Sequence, residues 1–363
     1  MSKHLAALAA VTTTLALGAC GLDSGSSNSS TTSSGSSGSP TKGTGVVTLV
    51  THDSWAMSKE LVAAFQQETG YTLKVQASGD AGELTNRLVL SKDAPTGDVV
   101  FGIDNTFASR AVQAGILQDY RPAGLPASAS SYALSGNGAA QLTPIDFGDV
   151  CINVDKQWYA AKKQTPPATL DDLTKPAYRN QLVTPGAPTS SPGMAFLLAT
   201  IGAKGQDGWQ AYWKALKANG VKITSGWTDA YSVDFSGGEG KGSRPVVLSY
   251  STSPAFTANE AGTSSSTAAL LDTCFRQVEY AGVLQGAKNP EGAKAFVDFM
   301  LGKDFQAALP DGMYMYPVDR TVTLPATWQK FATVSPRPWS VSPEQITKNR
   351  ETWLREWADI TAG

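Results

Sequence analysis

From Val46 onwards the chain alternates short apolar runs with amphipathic stretches. The run VVTLV predicts a strand. The stretch SWAMSKELVAAFQQETG predicts a helix, because its apolar residues fall on one face and Gly70 ends it. YTLKVQA, AGELTNRLVLSK and GDVVFGI then predict a strand, a helix and a further strand. Repeated β-α-β units of this kind predict an α/β fold with mainly parallel sheets flanked by helices.

The pattern changes at TPIDFGDVCINVDKQ, which we interpret as a strand that crosses into a second domain. A long strand around residues 273–283 would return the chain. Two crossings predict two lobes with a cleft between them. We therefore expect lobe 1 to contain residues 46–145 and 275–363, including a terminal helix over about 343–360. Lobe 2 would contain residues 146–274.

One predicted strand of lobe 2 ends in an unusual way. Val246–Leu248 has no polar alternation and so is expected to be covered on both faces. It runs into Tyr250, several hydroxyl side chains and Pro254. The carboxyl ends of strands in open α/β sheets are where ligands bind. The same residues also fit a turn rich in Ser and Thr that caps its own helix, and the stretch alone leaves both interpretations open.

The N-terminal region predicts export. Residues 1–19 carry Lys3 and then an apolar run, which is typical of a secretory signal peptide. The junction LGAC resembles a lipobox, so Cys20 is the expected lipidation site, the alternative being a chance cysteine near a cleavage site. Residues 20–45 are then a lipidated cysteine followed by a flexible Ser-rich tether. We expect a protein anchored to the cell membrane by lipid and facing outward.

Two further cysteines, Cys151 and Cys274, lie in strand-like segments. In an oxidising compartment they can form a disulfide, and the alternative is two buried thiols.

Composition and motifs exclude several functional classes. The formal net charge of −2 gives nucleic acid nothing to bind. His52 is the single histidine after the leader, too few for a histidine-based zinc site, and no CxxC pair replaces it. No GxSxG elbow, GxxxxGK[ST] loop or GxGxxG after a strand is present. We expect neither an enzyme nor a bound metal or cofactor.

Nine stretches, in chain order, resemble the solute-binding components of thiamine ABC importers. They are VTLVTHDSWA, GDAGELTNRL, DVVFGIDN, PIDFGDV, TSSPGMAFLL, SGWTDAY, VLSYSTSPAF, RQVEYAG and MYPV. The resemblance implies a two-lobed periplasmic-binding-protein fold whose lobes are joined by two hinge strands. It also implies a cleft that closes on thiamine, thiamine monophosphate or thiamine diphosphate, and delivery to ABC permease subunits. We expect a monomer.

The resemblance carries ligand contacts to Asp80, Ala81, Ser190, Ser191, Trp227, Tyr250, Ser251, Thr252, Ser253 and Pro254. The chain departs from the family pattern at three positions. His52 stands where tyrosine is frequent, Ala81 where glycine is frequent, and Tyr314 where tryptophan commonly precedes MYPV. Tyr314 keeps an aromatic face, so we include it among the expected ligand-binding residues. His52 is included as well, as a residue that alters the pH dependence or the preferred phosphorylation state of the ligand, the alternative being a residue of the rim.

The ligand expected from the resemblance fits these residue types. Thiamine carries a thiazolium cation, a flat aminopyrimidine and a hydroxyethyl arm, for which aromatic faces and a carboxylate are matching partners. The free N–H groups at Ser190 and Ser191 are expected to hold the polar arm or its phosphate. The alternative cargoes are a polyamine, which needs several cleft carboxylates, and ferric iron, which needs clustered tyrosines with His or carboxylate ligands.

Overall fold

The computed structural model describes residues 42–239 and 241–362. The strands are β1 (Val46–Thr51), β2 (Thr72–Ala77), β3 (Val99–Asp104), β4 (Thr143–Asp155), β5 (Leu182–Pro185), β6 (Lys222–Thr224), β7 (Val246–Tyr250), β8 (Thr267–Val283) and β9 (Tyr316–Pro317). The helices are α1 (Lys59–Thr69), α2 (Ala81–Leu90), α3 (Ala108–Ala114), α4 (Gly138–Gln141), α5 (Lys156–Lys162), α6 (Ser191–Lys204), α7 (Trp209–Ala218), α8 (Ser253–Phe256), α9 (Pro290–Met300), α10 (Lys303–Met313), α11 (Ala326–Phe331) and α12 (Pro343–Ala362). Shorter helical turns lie at Ala127–Tyr132, Asp171–Thr174, Pro176–Tyr178 and Asp229–Asp234.

The strands form one continuous sheet in the order β2-β1-β3-β8-β4-β7-β5-β6, with β9 beside β4. Strands β2, β1 and β3 are mutually parallel, as are β7, β5 and β6. The two long central strands, β4 and β8, run antiparallel to each other and join these two parallel halves. The mainly parallel halves and the two crossing strands agree with the pattern of the sequence.

The crossing strands are tied together where their pairing is interrupted. Val150 pairs with Phe275 and Ile152 with Leu270, so residues 271–274 of β8 bulge opposite the single residue Cys151. The structure joins Cys151 and Cys274 in a disulfide at this bulge.

Four hydrophobic cores of the described residues support the sheet, and the smallest of them packs against Trp227. Two of the larger cores contain β1, β3 and the helices that flank these strands, and another surrounds the nearly uniformly apolar helix α6.

The terminal helix α12 corrects one of the expected boundaries. Its Ile346, Trp353 and Trp357 belong to the core around α6 and α7, and Trp357 packs edge-on against Trp213 at 5.4 Å. We expected this helix in lobe 1, but its apolar face is buried on lobe 2. The chain therefore passes between the lobes a third time, through the segment that links α11 to α12. The other lobe boundaries stay a prediction.

The N-terminal predictions lie almost entirely outside the described residues. They concern the leader (residues 1–19), the lipidated Cys20 and the tether (residues 20–45), of which only residues 42–45 are described. The first strand begins at Val46, where the folded part was expected to start. Within residues 42–239 and 241–362, no helix has both the length and the apolar character that a membrane span requires.

Candidate functional site

A cavity of about 240 Å³ lies at the crossing strands and is lined from both lobes. Seven of the twelve expected ligand residues line it: His52, Asp80, Ala81, Ser191, Trp227, Tyr250 and Tyr314. A larger groove of about 470 Å³ lies between α3, α4 and α12, and none of the expected residues lines it. We place the site in the smaller cavity, because the expected residues bring aromatic faces and carboxylates together there.

Asp80 connects the two lobes at one end of the cavity. It is the N-cap of α2, and its Oδ1 accepts a hydrogen bond from the backbone N–H of Ala81 at 2.6 Å. The same carboxylate accepts from two N–H groups of lobe 2, those of Ser191 at 3.3 Å and Trp227 at 2.9 Å. Both carboxylate oxygens are thus engaged by backbone donors, and the side chain holds the lobes together.

Trp227 presents a fixed ring to the cavity. The indole stacks on Tyr231 with ring centres 5.0 Å apart and planes 12° apart, and its Nε1 donates to Ser249 Oγ at 3.0 Å. Tyr250 approaches it edge-on at 6.3 Å. These contacts hold the half-buried ring in place before any ligand arrives, which reduces the entropy that binding has to overcome.

Four polar side chains form a line along the cavity. Tyr250 Oη donates to Gln277 Oε1 at 3.0 Å, and Gln277 Nε2 donates to Glu279 Oε1 at 3.5 Å. The line ends at His52, whose Nε2 lies 3.4 Å from Glu279 Oε1. Burial raises the pKa of Tyr250 well above its usual value, so its hydroxyl remains a donor.

Gly102 allows His52 to occupy this position. It lies in the irregular pairing between β3 and β8 and has a φ of +100°, which favours glycine. A Cβ at this position would lie 2.2 Å from Cδ2 of His52. The imidazole therefore packs directly against the backbone of β3, with 6% of its surface exposed.

Ser191 faces a second carboxylate of lobe 1. Its hydroxyl donates to Oδ2 of the fully buried Asp104, whose Oδ1 accepts from Thr106 and Phe107. Burial raises the pKa of Asp104 to about 6, although these hydrogen bonds act to lower it. The start of α6 thus meets Asp80 and Asp104 together.

Five expected residues are placed behind the cavity wall: Ser190, Ser251, Thr252, Ser253 and Pro254. Ser190 Oγ caps α6 by accepting from Gly193 N at 3.4 Å. The Ser253 hydroxyl bonds that of Ser249, and Thr252 Oγ1 donates to the carbonyl of Tyr314 at 2.8 Å. Ser253 and Thr252 therefore support the cavity wall, and Thr252 holds the left-handed backbone of Tyr314 at the cavity.

The sequence did not point to several lining residues. Gln277 and Glu279 lie in the interior of β8, within the stretch RQVEYAG, whereas most of the expected ligand residues lie at the ends of strands or the starts of helices. Their signal was a pair of polar residues two positions apart, hence on one face, alternating with the apolar Val278 and Tyr280. Met313 and Met315 flank Tyr314 and carried no signal beyond that. Among the described residues no group of three or more His, Cys, Asp or Glu side chains is placed to hold a metal ion.

Comparisons with known proteins point to the same family as the nine stretches. The family model described as bacterial extracellular solute-binding protein matches residues 94–335. The thiamine-binding periplasmic protein of Escherichia coli (strain K12) is 32% identical over 323 residues, which cover 88% of this chain and 94% of that protein. A solved periplasmic thiamin binding protein superposes with a TM-score of 0.75 at 30% identity, covering 89% of this chain and 98% of that one.

A more distant structure shows the fold alone. Iron-bound HitA from Pseudomonas aeruginosa superposes with a TM-score of 0.67 at 21% identity and covers 87% of this chain and 99% of that one. Together the matches confirm the resemblance that the nine stretches carry and the two-lobed periplasmic-binding-protein fold that it implied.

Proposed function

The chain belongs to the bacterial extracellular solute-binding proteins, and on this premise we propose that it captures thiamine in the cavity at the crossing strands and delivers it to an ABC permease. The observation that carries the proposal is the wall of the cavity. Trp227, Tyr250 and Tyr314 supply aromatic faces, while Asp80 and Glu279 supply carboxylates. No Lys or Arg is among the described residues that line it, so the wall suits a cation.

The free energy of binding requires both the aromatic and the carboxylate contacts. A cation over an aromatic face gains about 0.5 to 2 kcal/mol, depending on desolvation. Nanomolar binding needs about 12 kcal/mol. Three aromatic faces therefore supply part of the binding free energy, and burial of the two ligand rings, hydrogen bonds and the carboxylates supply the remainder.

Thiamine itself suits the cavity better than its phosphates. The N–H of Ser191 already faces Asp80, and its hydroxyl faces Asp104. A phosphate placed at the start of α6 would lie beside two carboxyl groups without a lining Lys or Arg to offset them. A neutral hydroxyethyl arm avoids this repulsion, although thiamine monophosphate and diphosphate belong among the ligands to be tested.

Thermal unfolding with candidate ligands tests the proposal. A ligand at 100 times its dissociation constant stabilises the folded state by about 2.7 kcal/mol. We expect thiamine to raise the Tm, and ferric citrate and spermidine, the probes of the alternative cargoes, to leave it unchanged. A Tm that rises only with spermidine or ferric citrate would replace thiamine with that cargo.

Closure of the lobes on the ligand is part of the proposed function, and Gly82 allows a test. A Cβ at Gly82, at the start of α2, would lie 2.6 Å from the backbone carbonyl of Thr189 in lobe 2. The neighbouring Glu83 N–H donates to that same carbonyl at 3.0 Å. We expect Gly82→Ala to disfavour the closed form and to weaken thiamine binding by about tenfold or more in calorimetry.

Gly124→Ala is the matched control, because a Cβ at Gly124 meets no atom within 4 Å. Gly82→Ala should also remove the compaction that thiamine produces in small-angle scattering of the parent protein. Unchanged affinity and unchanged compaction in Gly82→Ala would show that this approach of the lobes is not part of binding.

The remaining features of the proposed function concern the cell surface. We propose that the leader 1–19 directs export, that lipid on Cys20 anchors the protein to the membrane, and that residues up to 45 act as a tether. The folded part would work outside the cytoplasm as a monomer and a transport component, with no catalytic step of its own.

A further inference from the structure

Glu279 is the lining carboxylate with the fewest hydrogen-bond partners. It lies on β8 with 4% of its surface exposed, and that surface faces the cavity. The contacts of its Oε1 are long, 3.4 Å to His52 and 3.5 Å to Gln277. Asp80 differs, because three backbone N–H groups already engage it. A cation entering the cavity therefore gains more from Glu279 than from Asp80.

His52 is the basic side chain placed to compete with such a cation. Its Nε2 is buried, points at Glu279 and makes no hydrogen bond of good geometry. The imidazolium form is stabilised chiefly by the charge of Glu279 beside it. Gly102 and Phe101 pack against the ring and hold it in this position.

We propose that Glu279 is the anion that selects a cationic ligand in this cavity, and that His52 makes the selection depend on pH. The inference rests on the proposed function, since it names the residue of that same site that recognises the thiazolium charge. With His52 protonated, the imidazolium neutralises Glu279 and repels the ligand. With His52 neutral, Glu279 is free to pair with the ligand.

The surrounding charges set the direction of this effect. Burial lowers the pKa of His52, but the carboxylates of Glu279, Asp80 and Asp53 outweigh it, so the pKa lies above its usual value. Behind Glu279, burial, the charge of Glu279 and a hydrogen bond to it raise the pKa of Asp146 well above its usual value. Asp104 adds further negative potential when ionised. Thiamine affinity should therefore rise with pH as His52 loses its proton.

Calorimetric titration with thiamine between about pH 6 and pH 8.5 tests both parts. We expect the parent protein to bind several-fold more tightly at the upper end. Glu279→Gln should lower the affinity by at least about tenfold at the upper end and flatten the pH profile. His52→Gln should also flatten the profile, but by raising the affinity at the lower end. Glu291→Gln, which removes an exposed carboxylate from α9, is the control and should behave as the parent.

The outcomes separate this inference from the proposed function. A parent protein that binds no thiamine overturns the proposed function and this inference with it. Binding by the parent with equal affinity in Glu279→Gln overturns the inference alone. If Glu279→Gln fails to fold, His52→Gln still tests the inference. Thiamine affinity that still rises with pH in His52→Gln would overturn the role of His52.

Discussion

Replacing Trp227 with alanine is expected to weaken thiamine binding by roughly 100-fold. The change removes a cation–π contact of up to about 2 kcal/mol together with the apolar face that covers the ligand. It also removes the ring that Tyr231 and Ser249 hold in position, so the remaining cavity is less ordered. Isothermal titration calorimetry with thiamine measures the loss directly.

Two further variants show whether the aromatic face is responsible. Trp227→Phe keeps a ring on Tyr231 and should recover a large part of the affinity. Trp158→Ala removes another half-buried indole, one that packs beside Tyr159 away from the cavity, and should leave the affinity unchanged. Equal binding by Trp227→Ala and the parent protein would mean that the ring packs only against its own lobe.

Loss of the disulfide between Cys151 and Cys274 is expected to cost about 4 to 5 kcal/mol of folding stability in the chain-entropy model. The bridge joins residues 123 positions apart, so it removes a large loop-closure entropy from the unfolded chain. Scanning calorimetry of Cys151→Ala/Cys274→Ala should show a Tm lower by roughly 5 to 10 °C than that of the parent.

Reducing the disulfide of the parent protein provides the comparison that matches the double variant. It should lower the Tm of the parent protein towards that of the double variant and leave the double variant unchanged. A double variant as stable as the oxidised parent would show that the bulge on β8 is held without the bridge, by Arg276 and Asp149 and by the segment that links α11 to α12.

The fold could be predicted from the sequence where a pattern has one physical interpretation. Alternating apolar runs and amphipathic stretches require a sheet with flanking helices, and the run Val246–Leu248 of β7, which has no polar residue, requires burial on both sides. The terminal helix was assigned to the wrong lobe because an amphipathic pattern shows that Trp353 and Trp357 are buried, but not which surface covers them. That choice depends on the complementary indole of Trp213 across the helix pair.

The candidate site could also be predicted from the sequence only in part. Asp80 and Trp227 were expected from the resemblance to thiamine importers, and both line the cavity. Glu279 was missed because it lies inside a strand, where a carboxylate is not expected without a partner. The hydroxyls after Tyr250 stay a prediction as ligand contacts. Ser253 bonds Ser249 and the backbone N–H of Tyr250, and Thr252 bonds the carbonyl of Tyr314, so these two side chains already have partners within the protein.

The bulge on β8 also fixes how the protein can move. Arg276 binds Asp149 through two hydrogen bonds of 2.7 and 2.9 Å, Ser335 N donates to the same carboxylate, and Trp339 N donates to the carbonyl of Cys274. Every connection between the halves is therefore fastened at one point of the molecule. The proposed opening is therefore expected to be a rotation of the lobes about this point, with the largest displacement at the outer edges of the cleft. Spin labels placed beside the bulge should keep their separation, while labels at the outer edges of the cleft move apart.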